Sequence, residues 1–163
     1  MQTSFTDQQL ENKENKSSES ILRKCVHCGM CNATCPTFAI SGNELEGPRG
    51  RIYLIKDMLE NKKPANKKIA QHIDSCLSCY GCMTTCPSGV NYMHLIDHGR
   101  NYVEETYKRP LLDKLFRNIL SYILPKPKIF LALALLTKII KPFSFLLPQF
   151  LRNSLKLMPN NIP

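Results

Sequence analysis

CVHCGMCNATCP, at residues 25–36, decides the fold of this 163-residue chain, and the same pattern returns at residues 76–87 as CLSCYGCMTTCP. Both copies read C-x2-C-x2-C-x3-C-P, and each cysteine of the first copy lies 51 positions before its counterpart in the second. All 8 cysteines of the chain fall within these two motifs. A cysteine pattern repeated at identical spacing indicates two equivalent sites with thiolate ligands.

This spacing is typical of the 4Fe–4S clusters of bacterial ferredoxins. Two-residue gaps let a tight loop direct three thiolates at one cluster, whereas the fourth cysteine, followed by a proline, turns toward the other cluster. We therefore predict two clusters with crossed ligands, and electron transfer between them. The two predicted ligand sets are Cys25, Cys28, Cys31 and Cys86 for the first cluster, and Cys76, Cys79, Cys82 and Cys35 for the second.

Chain length limits the distance between the two clusters. Cys31 and Cys35 are separated by four positions, so their Cα atoms are at most about 14 Å apart. The same limit holds for Cys82 and Cys86. Two clusters whose ligands are crossed over such short segments are expected to exchange electrons rapidly.

Disulfides and zinc are the alternatives for these cysteines. Disulfides are disfavoured because the start of the chain does not read as a secretion signal and because four cysteines in one short run give poor disulfide geometry. Zinc is the stronger rival, but zinc sites usually take two cysteines from each of two separated pairs rather than four from one run. The repeated motif favours iron–sulfur clusters.

Charge is distributed unevenly along the chain, whose formal net charge is +9. Residues 1–109 contain 14 Lys and Arg against 12 Asp and Glu, whereas residues 110–163 contain 8 against 1. We predict three regions: a flexible polar N-terminus (1–19), a helical ferredoxin domain (20–109) and a basic amphipathic helical tail (110–163). Without an export signal, we expect a cytoplasmic protein.

The periodicity of apolar residues predicts an all-α fold. Ser20 is expected to cap a short helix over residues 21–24, and Pro48 to begin a helix that continues to Asn61. Two further helices are predicted over residues 67–74 and 91–108. The last carries an apolar stripe, which consists of Tyr92, Ile96, Gly99, Val103 and Tyr107.

Residues other than cysteines could also act on the clusters. Gly29 and Gly81 would let backbone amides approach cluster sulfurs, or would merely permit the turn. Arg49 and Arg51 are either two solvated arginines at a helix start or, as we expect, lie near an anionic cluster, where they would tune its potential. The four histidines show no ligand spacing, and we interpret them as surface or packing residues: His27, His72, His94 and His98.

The sequence of the tail predicts an amphipathic helix that ends at Pro125. An apolar run follows over residues 129–140 and ends at Lys141 and Pro142. This run is too short for a bilayer span of about 20 residues. Three interpretations remain for the tail: a segment lying on a membrane surface, a docking face for a partner, or a connector to another domain. Interleaved leucines argue against nucleic-acid binding.

Three stretches together resemble the iron–sulfur subunit of bacterial glycolate oxidase: SILRKCVHCGMCNATCPTF, GPRGRIYLIK and CLSCYGCMTTCPSGV. Similar subunits serve lactate utilisation, anaerobic glycerol-3-phosphate dehydrogenase and heterodisulfide reductase. The resemblance covers about residues 20–109. It implies a helical ferredoxin domain whose two clusters accept electrons from a flavin-binding partner subunit that oxidises glycolate or D-lactate, and pass them toward membrane quinone. No substrate chemistry is expected on this chain.

One departure from the family concerns the C-terminal half. Its members usually continue into a larger region with paired Cys-Cys-Gly motifs, but no cysteine follows Cys86 here. We expect either a truncated product or a separate Cys-Cys-Gly protein as a partner, and the protein could be peripheral on the inner face of the cell membrane. The alternative functions are a free-standing, membrane-docked ferredoxin and a zinc-stabilised nucleic-acid-binding module.

Overall fold

The structure, a computed structural model, describes residues 1–140 together with Gln149 and Asn153, without the side chains of residues 136–140. The described residues form helices and contain no strand, so the predicted all-α class is confirmed. Two short 3-10 helices lie at Met30–Thr34 and Glu44–Glu46. The α-helices are α1 (Asp7–Leu10), α2 (Lys13–Lys24), α3 (Pro36–Ser41), α4 (Pro48–Glu60), α5 (Lys67–Asp74), α6 (Gly81–Thr84), α7 (Tyr92–Thr106), α8 (Leu111–Ile123) and α9 (Pro127–Ile140).

The chain divides into two compact units, Met1–Lys108 and Arg109–Pro163. Both cysteine motifs belong to the first unit, where α2, α4, α5 and α7 pack around one apolar core. Residues from these helices that are fully buried in that core are Leu22, Ile55, Met58, Ile73, Leu95, Ile96 and Val103.

The three helices predicted between and after the motifs are confirmed, with ends that differ by at most two residues. On α7, the predicted stripe does face the core, and Leu95 adds to it. Gly99 lies in this stripe because α4 passes very close: a Cβ atom at Gly99 would be 2.8 Å from Cγ1 of Ile55. The close contact of α4 and α7 fixes the segments that flank the two motifs.

The helix before the first motif is longer than predicted. It begins at Lys13, with the Asn12 side chain accepting hydrogen bonds from the backbone, and not at Ile21. Residues 1–19 also pack on the domain: Ser18 is fully buried, and Nε2 of the buried Gln9 donates to the carbonyl of Leu59 at 2.9 Å. Polar composition hid this helix because its buried face starts with a serine and reaches apolar residues only in its last turn.

The second unit contains α8 and α9, and the predicted amphipathic helix ending before Pro125 is confirmed. No single helix of the described chain is long and apolar enough to cross a membrane; α8 and residues 127–135 satisfy the length and composition together, but are bent by 108°. The predicted helix end at Lys141 and Pro142 lies outside the described residues. Large apolar side chains of this unit that are exposed are Leu111, Leu112, Leu115, Phe116, Ile119, Leu120, Tyr122, Leu124, Phe130, Leu131, Leu133 and Leu135.

Candidate functional site

Two cavities lie side by side within the first unit, and cysteines line both. The first encloses about 450 Å³ of non-protein space, including its mouth, and the second about 300 Å³. Cys82 contributes to both linings, as do Pro48 and Tyr92, so these residues form a common wall. The other cysteines divide between them: Cys25, Cys28, Cys31 and Cys86 line the first cavity, and Cys35, Cys76 and Cys79 line the second.

Each motif therefore reaches into both cavities. Cys86, the last cysteine of the second motif, lines the cavity formed mainly by the first motif. Cys35, the last cysteine of the first motif, lines the cavity formed mainly by the second. The proline after each of these cysteines ends the loop, and after Cys35 it also starts α3.

The backbone of the two motif loops follows the same path. His27 and Gly29 in the first loop have positive φ angles of 59° and 84°, and the residues 51 positions later, Ser78 and Tyr80, have 53° and 55°. Such left-handed residues alternating with ordinary ones arrange backbone N–H groups into a concave anion-binding surface. This arrangement suits a cluster whose sulfurs carry net negative charge.

The glycines of the two motifs do not occupy equivalent positions, although both were predicted to play the same part. Gly29 occupies a left-handed position, for which glycine carries no steric cost. The equivalent residue in the second loop is Tyr80, while Gly81 begins α6. A left-handed tyrosine is unusual, and only its positive φ in the structure reveals it.

Solvent reaches each site at its second cysteine. Cys28 and Cys79 are exposed, whereas Cys25, Cys35 and Cys82 are buried. Apolar side chains flank both openings: Val26 is 66% exposed and Leu77 is 68% exposed. A partner molecule can therefore approach within van der Waals contact of Cys28 or Cys79.

The thiols in the common interior repel each other's charged forms. Burial, and next the charge of Cys25, raises the pKa of Cys31 to about 11. Burial, and next the charge of Cys31, raises the pKa of Cys82 to about 12. Deprotonated cysteines crowded in a buried site require a bound cation, and an iron core supplies one. The donor set thus fits an iron–sulfur cluster in each cavity.

Cys35 differs from these thiols. Burial would raise its pKa, but a hydrogen bond from the Thr37 hydroxyl, backbone N–H groups of Phe38 and Thr37, and the charge of Arg51 lower it instead. The Thr37 oxygen is 3.2 Å from the Cys35 sulfur. The thiolate of Cys35 is therefore stabilised by fixed donors of the chain.

Arg51 is buried, with 1% of its surface exposed, and is held by four oxygen acceptors. Its Nε donates to the His72 carbonyl at 2.7 Å, and its Nη2 to Glu46 Oε2 at 3.0 Å. Nη2 also donates to the hydroxyls of Thr37 and Ser75. Nη1 points at the Cys35 sulfur from 4.0 Å. The expected proximity of this arginine to a cluster site is supported by that contact.

Glu46 balances the charge of Arg51. Burial alone would raise its pKa, but hydrogen bonds from Ser75 and His72 lower it. Nδ1 of His72 lies 2.6 Å from Glu46 Oε1. Thr37, Glu46 and Ser75 were not among the residues predicted from the sequence, and only the tertiary contacts identify them.

Tyr92 and the histidines complete the surroundings. Tyr92 was predicted to pack in the core, and it is buried, but its hydroxyl also donates to the Cys76 sulfur at 3.7 Å. His27 lines the first cavity, whereas His98 binds Ser18 Oγ through Nδ1 at 2.6 Å. Within the described part of the chain, no three His, Cys, Asp or Glu side chains are grouped to hold a single metal ion.

A family model of the 4Fe–4S dicluster domain matches residues 21–90. These residues form a 4Fe–4S dicluster domain. The match spans both motifs and all eight cysteines, and it ends just before α7. The eight cysteines of this domain fit two 4Fe–4S clusters.

Comparison with curated proteins identifies relatives of the dicluster domain and of the residues after it. The chain is 47% identical over 155 residues to the glycolate oxidase iron–sulfur subunit of Escherichia coli, which covers 95% of this chain and 37% of the relative. It is 32% identical over 119 residues to a probable glycolate oxidase iron–sulfur subunit of Bacillus subtilis, covering 72% of this chain and 27% of the relative. The resemblance predicted from the motifs is confirmed.

A more distant relative belongs to the dihydromethanophenazine:CoB–CoM heterodisulfide reductase of Methanosarcina mazei. One of the subunits of that enzyme is 32% identical to this chain over 89 residues, which cover 45% of this chain and 22% of the relative. No solved structure matches the chain. The chain spans about a third of the length of the two glycolate oxidase subunits that it matches.

Proposed function

We propose that this chain is the electron-transfer iron–sulfur subunit of a flavin-dependent 2-hydroxy-acid dehydrogenase. Glycolate is the favoured substrate because both glycolate oxidase relatives carry that name, and D-lactate is the second choice. Oxidation of the substrate takes place on a flavin-binding partner subunit. This chain receives the electrons and passes them toward a membrane quinone.

A single observation supports this function best: two cysteine-lined cavities share the wall formed by Cys82, Pro48 and Tyr92. We assign Cys25, Cys28, Cys31 and Cys86 to the cluster of the first cavity, and Cys76, Cys79, Cys82 and Cys35 to that of the second. The lining residues of each cavity support this crossed assignment.

The chain's own residues hold and shield the two sites. When bound, each cluster would supply one-electron redox chemistry, and oxidation of a 2-hydroxy acid releases two electrons. The chain therefore offers as many one-electron sites as one substrate turnover fills. Buried Ile52, Val90 and Tyr92 exclude water from the walls, while the exposed sides of Cys28 and Cys79 leave two openings for electron entry and exit.

A free-standing ferredoxin that docks on membranes through its tail is the second candidate. The exposed apolar side chains of α8 and the basic composition of residues 110–163 favour it. In the first candidate, the same tail contacts a partner, for example a separate protein with the Cys-Cys-Gly motifs that this chain lacks.

Anaerobic purification of the tagged full chain from its own cells tests the proposal. We expect about eight iron and eight sulfide per chain, together with a co-purifying flavoprotein through which added glycolate reduces the clusters. D-lactate in place of glycolate tests the second substrate. If dithionite reduces the clusters but no 2-hydroxy acid does, only the second candidate function, the free-standing ferredoxin, remains. Zinc without sulfide would contradict both candidates and favour the zinc module, for which salt-sensitive nucleic-acid binding is the further check.

A further inference from the structure

One short segment contacts both cluster sites. Pro48 lines both cavities, Arg49 lines only the first, and Arg51 lines only the second. The two arginines stand on either side of Gly50, at the start of α4. A Cβ atom at Gly50 would lie 2.2 Å from the Glu44 carbonyl oxygen, so the segment is pressed against the 3-10 helix Glu44–Glu46. Its backbone position, and with it the direction of each arginine, is fixed.

Arg49 lies against the first motif loop. Its Nη1 is 3.0 Å from the position that a Cβ atom of Gly29 would occupy. Its backbone N–H donates to Oδ1 of the buried Asn32 at 3.3 Å. Glycine at position 29 thus provides both the left-handed turn and the space for the guanidinium beside the first site.

Arg51 lies against the second site through Cys35, the ligand that the first motif contributes. Its contacts with Glu46, Thr37, Ser75 and His72 leave Nη1 directed at the sulfur. Because the side chain is buried, solvent screens its charge much less than that of the half-buried Arg49. Glu46 opposes the effect, because its carboxylate lies 3.0 Å from the same guanidinium.

We propose that Arg49 and Arg51 set the reduction potentials of the two clusters separately, Arg49 acting on the cluster of Cys25, Cys28 and Cys31 and Arg51 on that of Cys76, Cys79 and Cys82. This inference rests on the proposed function only in requiring a cluster in each cavity. Reduction adds one negative charge to a cluster, so a nearby cation or hydrogen-bond donor favours the reduced form and raises the potential. Each arginine therefore acts through its charge, and each acts on a different cluster.

The expected shifts differ in size and in sign. Arg51→Gln should change the reduction equilibrium of the second cluster at least tenfold, which lowers its reduction potential by at least 59 mV for a one-electron couple. Arg49→Gln should lower the reduction potential of the first cluster by less, which corresponds to a few-fold change in its reduction equilibrium. Glu46→Gln removes the opposing charge and should raise the potential of the second cluster. The sign change separates an electrostatic role from general damage to the site.

A redox titration of the anaerobically loaded full chain, followed by electron paramagnetic resonance, measures both potentials. Cys28→Ser and Cys79→Ser each alter one uncrossed ligand, and they assign the two signals to the two motifs. Lys63→Gln, which removes an exposed positive charge that lines neither cavity, is the control for net charge. Arg49→Lys and Arg51→Lys test rescue: the charge should restore the first potential fully and the second only in part, because lysine cannot reproduce the arginine's fork of donors.

If Arg51→Gln fails to load clusters, Thr37→Val and Glu46→Gln carry the test. Thr37→Val removes the hydroxyl beside the Cys35 sulfur and should lower the second potential alone. Equal shifts of both clusters in either arginine variant, or no shift in any variant, would overturn the inference while leaving the proposed function intact. A wild-type chain without two clusters would overturn both, and iron and sulfide analysis of that chain distinguishes the two failures.

Discussion

The loop from Cys25 to Cys31 and the loop from Cys76 to Cys82 place left-handed residues at the same two positions, but the first uses His27 and Gly29 where the second uses Ser78 and Tyr80. The cysteine spacing is identical, so the shared backbone follows from the spacing and from the need to surround an anionic cluster. The side chains at these positions are free to differ. Cluster motifs therefore fix a path of the chain and leave the surroundings of each cluster to other residues.

The fourth cysteines show the same contrast. Cys35 is buried, and its sulfur lies 3.2 Å from the Thr37 hydroxyl oxygen and 4.0 Å from Nη1 of Arg51. Cys86 is half-buried and continues into a turn in which the Gly89 N–H donates to the Cys86 carbonyl at 3.2 Å. The fourth cysteine of the first motif is thus embedded in a polar network, whereas the fourth cysteine of the second motif lies near the surface.

Removing a crossed ligand should have the largest effect. We expect Cys35→Ala to lose the cluster of Cys76, Cys79 and Cys82, and Cys86→Ala to lose that of Cys25, Cys28 and Cys31, since each cluster then lacks its fourth thiolate. Each variant should retain about four iron and four sulfide. Electron paramagnetic resonance of the remaining cluster is the measurement. Loss of the cluster nearer in sequence to the substituted cysteine would show that the ligands are not crossed.

Gly50→Ala should destabilise both clusters together, because it displaces the wall that the two sites share. The added Cβ would meet the Glu44 carbonyl at 2.2 Å, and backbone cannot move away cheaply. We expect a cost of about 3 kcal/mol or more, at the upper end for overpacking. Gly42→Ala is the matched control: nothing lies within 4 Å of its Cβ, so only the positive φ of 65° contributes, at about 1–2 kcal/mol. Similar rates of cluster loss in urea for the two variants would contradict this account.

The left-handed Tyr80 offers a smaller test. Tyr80→Ala and Tyr80→Gly remove the same ring, but only alanine keeps the cost of a left-handed residue, which is about 1–2 kcal/mol. The glycine variant should therefore lose its clusters more slowly in urea, by up to about tenfold. Gly29→Ala should accelerate the loss for the reverse reason, with added crowding of Arg49. Equal rates for the alanine and glycine variants at position 80 would mean that the second loop is not strained there.

Features of the chain that depend on local periodicity could be predicted from the sequence. Helices α4, α5 and α7 follow from apolar spacing and from Pro48 at a helix start, and the apolar stripe of α7 identifies its buried face. Helix α2 was predicted too short because its buried face begins with Ser18, which no hydrophobic pattern marks. A capping signal was nevertheless present upstream, since Thr6 and Gln9 form a capping box before α1.

The candidate site was predictable to the extent that it consists of spaced cysteines. The Thr37, Glu46 and Ser75 contacts with Arg51 join residues up to 24 positions apart in sequence, and nothing local distinguishes these residues from ordinary surface polar ones. Likewise, the two arginines of one segment could be placed near clusters but not assigned to different ones. Such assignments depend on which way each side chain leaves a tightly packed turn, and that is a tertiary property.

Acid should destabilise α2, the helix that leads into the first motif, before it destabilises α5, the helix that leads into the second. Burial lowers the pKa of His98, whose Nδ1 binds the fully buried Ser18 on α2, the helix that leads into Cys25. Because the folded-state pKa lies below the unfolded value of 6.5, the unfolded chain binds more protons below about pH 6.5, and stability falls as the pH drops through that value. The slope for one proton is at most about 1.4 kcal/mol per pH unit.

The equivalent helix before the second motif, α5, is tied to Glu46, whose carboxylate pKa is lowered from 4.5 by hydrogen bonds that outweigh the effect of burial. That contribution is present above pH 4.5 and is lost only below it. Amide hydrogen exchange of the loaded protein, corrected for the intrinsic effect of pH, should show α2 losing protection between pH 7.5 and 5.5 while α5 keeps it. His98→Gln, which retains a polar side chain without a titration in this range, should abolish the difference in pH dependence. If α5 loses protection together with α2 in the wild type, His98 does not account for the acid sensitivity, and the two helices respond to acid as one unit.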